Sequence, residues 1–237
     1  MFSVYTKNLN IKNLIVYYLL ILCTYTSYSQ KILFVGNSLT YQNGMPLILE
    51  EIGSNFGKEI ITEMICKPNY AIIDHLEEGV VKKEIENNSY DLVIIQQGPS
   101  SQILGRKMLI EDGQKLAKIC KTNNTKLGYF MVWPSKKYYF TFDKIIANYK
   151  AGAEHNNAIL FPVGKIWRTY EKAKNKVSLY SNDNFHPSKI GSFLAALTIF
   201  KTLHPKEDLN KLPFSKIHYW AEHEKSYQLI LKILNKN

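Results

Sequence analysis

The feature that most limits the fold of this chain is a regular alternation of short apolar runs with longer amphipathic segments. The apolar runs are rich in β-branched residues and end at glycine, proline or polar residues, which is typical of buried strands. The segments between them repeat their apolar residues at helical spacing. This alternation predicts βαβ units, and therefore a parallel sheet with helices on both faces.

The apolar runs predict strands at residues 32–36, 59–65, 91–95, 126–133 and 158–163. The intervening and following segments predict helices at residues 45–56, 71–88, 106–121, 141–156, 164–175, 187–203 and 215–235. Pro187 is expected in the first turn of its helix, where its missing N–H costs nothing. Since neither a linker nor an internal repeat interrupts the pattern, residues 30–237 are predicted to form one α/β domain.

Residues 1–29 have the residue order of a secretory signal peptide. Lys7 and Lys12 precede an apolar run at residues 14–23, and small and polar residues follow it. We expect cleavage near Ser29 and Gln30, and an exported protein that is periplasmic or secreted and keeps no stable membrane anchor. The run is shorter than the roughly 20 residues that a spanning helix needs. An uncleaved N-terminal anchor is the alternative.

The chain is basic, with 30 Lys and Arg residues against 20 Asp and Glu residues and a formal net charge of +10. Two of these charges would leave with the signal peptide. A nucleic-acid-binding protein gathers its basic residues into a patch or track. Here the lysines are scattered over predicted helix faces, as at Lys82, Lys83, Lys115, Lys118 and Lys121. We therefore expect no nucleic-acid partner.

The cysteine count and the motifs of the chain argue against a metal or cofactor site. Three cysteines are too few for a disulfide scaffold or a four-cysteine zinc site. Cys66 and Cys120 lie in apolar contexts and are interpreted as buried thiols, although an exported protein could also join them in a bridge. No P-loop, GxGxxG or CxxC motif occurs, so neither a metal nor another cofactor is predicted.

Three segments carry chemically useful side chains next to predicted strand ends or helix starts, where parallel sheets bind ligands. They are GNSLT (36–40), QQGPSS (96–101) and SNDNFHPS (181–188). Ser38 could act as a nucleophile, with His186 as its base and Asp183 to orient the imidazole. Each residue alone also has a structural explanation: a helix cap for Ser38, a capping or surface position for His186, and a turn for Asp183. His75, beside Asp74 in a predicted helix, is a weaker candidate.

The first and last of these segments resemble the SGNH (GDSL-type) hydrolases. That family has Gly-Asp/Asn-Ser-Leu in its first block, as Gly36-Asn37-Ser38-Leu39 does here, and Asp-x-x-His in its last block, as in DNFH (183–186). The resemblance implies a three-layer α/β/α, flavodoxin-like domain that hydrolyses esters or thioesters without a metal. It also implies that Ser38 is the nucleophile, His186 the general base and acid, and Asp183 the partner of the histidine.

The blocks that build the oxyanion hole of the family are altered in this chain. The family uses the N–H of the nucleophile, a glycine N–H from its second block and an asparagine from a GxND third block. In the third block here, Gln97-Gly98 resembles the carbohydrate acetylesterase branch, where a glutamine amide replaces the asparagine. Gln97 is therefore the first choice as donor, Ser100 the second and Gln96 the third.

The second block is expected after the second predicted strand, at residues 67–71, where the chain has no glycine. A backbone N–H of Asn69 or Tyr70 is the expected donor there, since a backbone donor needs no particular side chain. A turn that requires glycine would be strained by tyrosine.

These observations predict an exported serine esterase that hydrolyses a small acyl ester, with O-acetyl groups on carbohydrate as the first choice of substrate. The alternative is a catalytically impaired SGNH-fold protein that binds glycan. The expected partner is thus a small-molecule or carbohydrate ester. Tyr138 and Tyr139 are candidates for stacking on sugar rings, and Trp133 is either a pocket wall or part of the core.

Overall fold

The computed structural model describes residues 29–174 and 176–236. The predicted signal peptide lies outside the described residues, apart from Ser29. Within the described ranges, no helix combines the length and the apolar character needed to cross a membrane.

The described residues contain one sheet of five strands: β1 (Gln30–Gly36), β2 (Ile60–Cys66), β3 (Leu92–Ile95), β4 (Lys126–Phe130) and β5 (Ile159–Phe161). The strand order is β2-β1-β3-β4-β5, and each neighbouring pair is parallel. All four residues of β3 are buried, because it lies in the middle of the sheet with helices on both faces. This order is that of flavodoxin-like sheets and confirms the predicted fold class.

The helices of the described residues pack in two groups on the sheet. Their bounds are α1 (Ser38–Tyr41), α2 (Met45–Asn55), α3 (Ile72–Glu78), α4 (Val80–Asn87), α5 (Ile103–Thr122), α6 (Phe142–His155), α7 (Val163–Glu171), α8 (Lys189–Leu203), α9 (Phe214–Ala221) and α10 (Glu224–Leu234). One group contains α2, α7, α8, α9 and α10, and the other contains α3, α4, α5 and α6. Helix α8 is apolar on nearly all sides because α2, α7, α9 and α10 surround it.

Two predicted helices are each divided in two by a residue with left-handed backbone. The predicted helix 71–88 ends at Gly79, whose φ of 72° places it where glycine has no steric penalty, and α4 starts directly after it. The predicted helix 215–235 is broken at Glu222, with a φ of 54°. In both cases an amphipathic pattern continues across the break, because both halves pack against neighbouring helices.

The start of α8 and the end of β4 also differ from prediction. Pro187 lies outside α8, which begins at Lys189 and is capped by Ser188, whose Oγ accepts the N–H of Gly191 at 3.3 Å. Strand β4 ends at Phe130, because β5 is its short edge partner and its last pair is Phe130 with Phe161. Residues 136–141, which lie between β4 and α6, form a 3₁₀ segment.

Cys66 and Cys120 are free thiols and form no bridge. Burial disfavours the thiolate, which raises the pKa of each to about 12. Cys120 is buried, as its apolar context predicts, whereas Cys66 is half-buried. Both thiols stay protonated at neutral pH and are therefore poor nucleophiles.

Candidate active site

The carboxyl ends of β1 and β3 form the crevice where the strand order of the sheet reverses. The chain leaves β1 for β2 on one side and then crosses to β3 on the other. Ligands bind to open α/β sheets at such a switch point. Ser38 follows β1, Asn69 follows β2 and Gln97 follows β3, so the sheet topology brings three of the predicted site residues to one edge.

Asn37 shapes the turn that presents Ser38. Its backbone is extended, and its side-chain Oδ1 accepts the N–H of Leu39 at 3.1 Å, which starts α1 at Ser38. Its Nδ2 donates to the carbonyl of Tyr70 at 2.9 Å, so the same side chain joins the turns after β1 and β2. In the described part of the chain the N–H of Ser38 has no hydrogen-bond partner. This N–H is therefore available to a ligand.

Gln96 holds the other side of the nucleophile turn. Its Oε1 accepts the N–H of Asn37 at 3.0 Å and the hydroxyl of Thr40 at 2.9 Å. A Cβ atom on Gly36 would stand 2.6 Å from this oxygen, so the close approach requires glycine. The Nε2 of Gln96 donates to the carbonyl of Gln97 at 2.6 Å. Gln96 thus positions the turn, which the sequence interpretation did not foresee.

Ser38, His186 and Asp183 lie in one hydrogen-bonded chain. Nε2 of His186 lies 2.8 Å from Oγ of Ser38, and Nδ1 of His186 lies 2.5 Å from Oδ2 of Asp183. The second oxygen of Asp183 accepts the hydroxyl of Ser181 at 2.7 Å and the N–H groups of Phe185 and His186, each at 2.9 Å. The carboxylate therefore fixes both the imidazole ring and the backbone that carries it.

Asp183 is held in its ionised form. The hydrogen bond from His186 lowers the pKa of this carboxyl well below 3.8, and the bonds from Ser181 and the two backbone N–H groups act in the same direction. An ionised Asp183 accepts the Nδ1–H of the imidazole, which leaves Nε2 free to accept the proton of Ser38. This arrangement can activate a serine hydroxyl.

The loop that carries Asp183 and His186 is fastened to the segment after β4. Nε1 of Trp133 donates to the carbonyl of Phe185 at 3.1 Å, and the N–H of Lys136 donates to the carbonyl of Asn184 at 2.9 Å. Trp133 is fully buried and stacks on Trp167 with 3.6 Å between ring centroids. Of the two predicted roles of Trp133, packing in the core is thus the one observed. Its indole N–H also positions the loop that carries Asp183 and His186.

Gln97 and Ser100 line the hollow beside Ser38, but their donors are bound to other protein groups. Nε2 of Gln97 donates to Oγ of Ser100 at 2.7 Å and to the carbonyl of Gly105 at 3.4 Å. The hydroxyl of Ser100 donates to the carbonyl of Gly98 at 3.0 Å. Neither side chain therefore donates to the position of an oxyanion unless it exchanges one of these bonds for the ligand.

The turn after β2 has its left-handed residue at Asn69, with a φ of 63°. Asparagine tolerates this conformation better than other residues with a side chain, so the turn forms without the glycine of the family. The N–H of Tyr70 donates to the carbonyl of Lys67 at 3.3 Å, whereas that of Asn69 has no partner within the described ranges. Of the two predicted backbone donors, Asn69 is the one whose N–H remains free.

Two further residues, Asn148 and Tyr149 on α6, position the loop after β3. The hydroxyl of Tyr149 donates to the carbonyl of Gln97 at 2.5 Å and accepts its N–H at 3.3 Å, while Nδ2 of Asn148 donates to the carbonyl of Ser100 at 2.7 Å. Burial raises the pKa of Tyr149, so it stays a neutral donor. The sequence signal was a polar Asn-Tyr pair within a helical apolar pattern, which is ambiguous without the fold.

Two hollows lie at the site, one lined by Ser38 and the other by Asp183. The first, of about 440 Å³, is lined by Ser38, Asn69, Tyr70, Gln97 and Ser100 among others. The second, of about 700 Å³, is lined by Tyr138, Phe140, Asp183 and Asn184 among others. Pro99, Ser101, Gln102 and Phe185 border both, so the two hollows form one extended cleft. Tyr138 thus lies where the sequence interpretation placed a stacking residue, whereas Tyr139 lines neither hollow.

Among residues 29–174 and 176–236, no three His, Cys, Asp or Glu side chains are grouped so as to hold a metal ion. The chemical groups brought together beside β1 are a serine hydroxyl, an imidazole and a carboxylate.

The similarity of this chain to known proteins lies in its three-dimensional structure. No protein-family model and no curated protein sequence matches the chain. A DUF4886 family protein from Bacteroides uniformis superposes with a TM-score of 0.72 at 17% identity, over 86% of this chain and 93% of the other. A protein from Slackia heliotrinireducens, provisionally assigned as an SGNH hydrolase, superposes with a TM-score of 0.64 at 21% identity, over 74% of this chain and 100% of its own. The chain has the fold of the SGNH hydrolases.

An acetyl xylan esterase has the same fold, with a TM-score of 0.52 at 17% identity, over 73% of this chain and 99% of the other. The family resemblance predicted from GNSLT and DNFH is therefore confirmed at the level of the SGNH fold. Because one fold supports many activities, a function has to be argued from the site.

His75 is a buried titratable group beside the turn that carries Ser38. It is fully buried on α3, and its Nε2 donates to the carbonyl of Gly36 at 2.9 Å, whereas its Nδ1 has no partner among the described residues. Burial lowers the pKa of the ring below 6.5, and the nearby carboxylates of Asp74 and Glu78 offset this only in part. His75 therefore supports the start of the nucleophile turn as a neutral ring.

We expect acid to destabilise the protein partly through His75. Because the folded state resists the proton that the unfolded state accepts, the free energy of unfolding should fall as pH drops through the ordinary imidazole range, from about 7 to about 5. His75→Gln retains a donor for Gly36 but does not titrate, so its stability should change less over the same range. Urea unfolding at a series of pH values measures this. Parallel pH curves for the two proteins would contradict it.

Proposed function

We propose that this protein is a serine esterase that hydrolyses small acyl esters through Ser38, His186 and Asp183. The observation that carries the proposal is the continuous contact from Ser38 Oγ through the imidazole to the carboxylate, at the switch point of an SGNH fold. A serine hydroxyl is a weak nucleophile alone, and an adjacent imidazole that accepts its proton activates it.

The geometry supports a two-stage reaction. Oγ of Ser38 attacks the ester carbonyl while Nε2 of His186 takes the hydroxyl proton, which gives a tetrahedral intermediate. Collapse breaks the bond to the alcohol, and His186 returns the proton to the departing oxygen. Water then attacks the acyl-enzyme with His186 again as base, which releases the acid and restores Ser38. The ionised Asp183 stabilises the imidazolium in both stages.

The negative charge on the carbonyl oxygen requires donors that point into the first hollow. We propose the free N–H groups of Ser38 and Asn69 as two of them. The third is Gln97, whose amide would exchange its bond to Ser100 or Gly105 for the oxyanion. Ser100 is the alternative third donor, and Tyr70 contributes the carbonyl that anchors Asn37.

This assignment predicts that Gln97→Ala lowers kcat for p-nitrophenyl acetate by roughly 10²- to 10³-fold, with a much smaller change in KM. Thermal unfolding of the variant should show that the fold survives, and Gln114→Ala, an exposed glutamine on α5, is the matched control. If Ser100→Ala lost this activity while Gln97→Ala kept it, Ser100 would be the third donor.

For the substrate we propose an O-acetyl ester on carbohydrate. The cleft is far larger than an acetyl group and offers space for a sugar beside it, and the solved neighbour that is an acetyl xylan esterase has the same fold. We further propose that residues 1–29 direct export and are removed, which would place the esterase in the periplasm or outside the cell. Acetate release from acetylated xylan, acetylated pectin and simple aryl esters tests the substrate.

An alkyl fluorophosphonate probe tests the reaction class. An activated serine displaces fluoride from the phosphorus, so we expect a covalent label on the peptide that contains Ser38, detectable by mass spectrometry. The alternative function is that of a catalytically impaired glycan-binding protein. It is favoured by the observation that the side-chain donors of Gln97 and Ser100 are already hydrogen-bonded within the protein. A folded protein that binds xylan but is not labelled by the probe would establish that alternative.

A further inference from the structure

Four exposed apolar side chains lie in the two segments that border the cleft and form what we call the apolar rim: Ile103, Leu104, Tyr138 and Phe140. Their exposed fractions are 89%, 68%, 51% and 81%. Ile103 and Phe140 are the two most exposed large apolar residues in the described part of the chain. Side chains of this size cost free energy when left in water, so such a concentration marks an interaction surface.

The rim is continuous with the cleft. Leu104 lines the hollow that contains Ser38, and Tyr138 and Phe140 line the second hollow. Gln102, directly before Ile103, borders both. Two tertiary contacts keep the two rim segments in place. The side chain of Asn148 donates to the carbonyl of Ser100, and the N–H of Lys136 donates to the carbonyl of Asn184. Whatever covers the rim would therefore face the candidate nucleophile.

The charged residues of the rim segments are all basic. Residues 99–107 and 134–142 contain no Asp or Glu, and they carry Arg106, Lys107, Lys136 and Lys137, all exposed. Lys107 pairs with Glu111 at 3.8 Å, and Asp143 pairs with Arg168. The ionised carboxylate of Asp183 lines the second hollow and is a nearby negative charge, but the four cations outnumber it. The field at the rim is thus positive.

Two other exposed apolar residues, Leu47 and Met64, have a different setting. Leu47 is followed one turn later by Glu50 and Glu51, and Met64 is next to Glu63. Acidic neighbours oppose approach to an anionic surface, whereas apolar side chains surrounded by cations favour it. The combination of large exposed apolar groups with an excess of cations is therefore present at the rim and absent at Leu47 and Met64.

We propose that the apolar rim docks onto an anionic lipid surface, with Ile103, Leu104 and Phe140 entering the acyl boundary and the four cations facing phosphate headgroups. This is the pattern of residues that binds membranes at their interface. A second copy of the chain is a poorer occupant, because a twofold contact would bring two positive rims together. Docking would present esters at a lipid surface to Ser38, but it requires no catalysis, so it stands apart from the proposed function.

Co-sedimentation of the chain expressed without residues 1–29 tests docking. We expect binding to vesicles of phosphatidylcholine mixed with phosphatidylglycerol, little binding to phosphatidylcholine alone, and weakening by salt. Ile103→Ser with Phe140→Ser should weaken binding by roughly tenfold or more, and Lys136→Gln with Lys137→Gln should reduce the dependence on phosphatidylglycerol. Tyr219→Ser, an exposed aromatic on α9, is the matched control and should bind as the parent does.

Circular dichroism verifies that each variant is folded before binding is compared. The proposal is overturned if the parent protein does not bind the anionic vesicles, or if the Ile103 and Phe140 double variant binds them as well as the parent. It is also overturned if size-exclusion chromatography shows a dimer that the double variant converts to a monomer, because a second copy would then cover the rim.

Discussion

Replacement of Ser38 by alanine is expected to lower kcat for p-nitrophenyl acetate by roughly 10⁴- to 10⁶-fold, the range seen when a serine nucleophile is removed. No other described hydroxyl is bonded to Nε2 of His186, so no group can replace Oγ in the attack. The residual rate would come from the donors of the first hollow and from binding.

The fold should tolerate this change. Ser38 is the first residue of α1, and the turn is held by the side chains of Asn37 and Gln96 and not by the serine hydroxyl. Thermal unfolding should therefore match the parent protein, and Ser54→Ala, an exposed serine on α2, should retain full activity. Turnover by Ser38→Ala at the rate of the parent would refute the esterase mechanism.

Asp183→Asn is expected to lower kcat by roughly 10⁴-fold with a small change in KM. The carboxylate accepts the Nδ1–H of His186, whereas an amide N–H₂ facing the ring would favour the tautomer with its proton on Nε2, which cannot accept the proton of Ser38. Asparagine is the informative substitution, because its Oδ1 can still accept the N–H groups of Phe185 and His186. Alanine would also release the turn.

Asp143→Asn is the control for Asp183→Asn, since it removes an exposed carboxylate that pairs with Arg168 on the protein surface. The lowered pKa of Asp183 adds a second expectation. The carboxyl stabilises the folded state above its ordinary pKa, and this contribution is lost as pH falls toward the folded value, so its effect on stability lies in the acid range below about 4. Activity of Asp183→Asn equal to that of the parent would show that the carboxylate only shapes the turn.

The arrangement of the cleft explains why the candidate nucleophile was predictable and its supports were not. Ser38 and DNFH (183–186) are short local patterns whose residue types carry the chemistry. Gln96 and Asn37 act through partners that are 59 and 33 residues away in the chain. The local sequence does not predict contacts between residues so far apart in the chain, and a glutamine at the end of a strand has many possible roles.

The same distinction applies to the elements. The strand and helix pattern predicted the parallel sheet because period-2 and period-3.6 apolar repeats record which faces are buried. Pro187 was wrongly placed inside α8, because a proline suits both a first turn and the extended backbone before it. Here Pro187 forms a bridge with Tyr180, which fixes the strand-like conformation that follows His186.

By itself, the sequence determined the α/β class, the switch-point location of the site and the identities of Ser38, Asp183 and His186 as candidates, because these depend on local periodicity and residue chemistry. Only the tertiary structure decided that the three side chains meet, that the donors of Gln97 and Ser100 are bound to other protein groups, and that Asn69 takes the left-handed turn. It also placed four exposed apolar residues from two distant segments at one cleft. Hydrogen bonds and shared surfaces join residues by their distance in space, which the chain order does not encode.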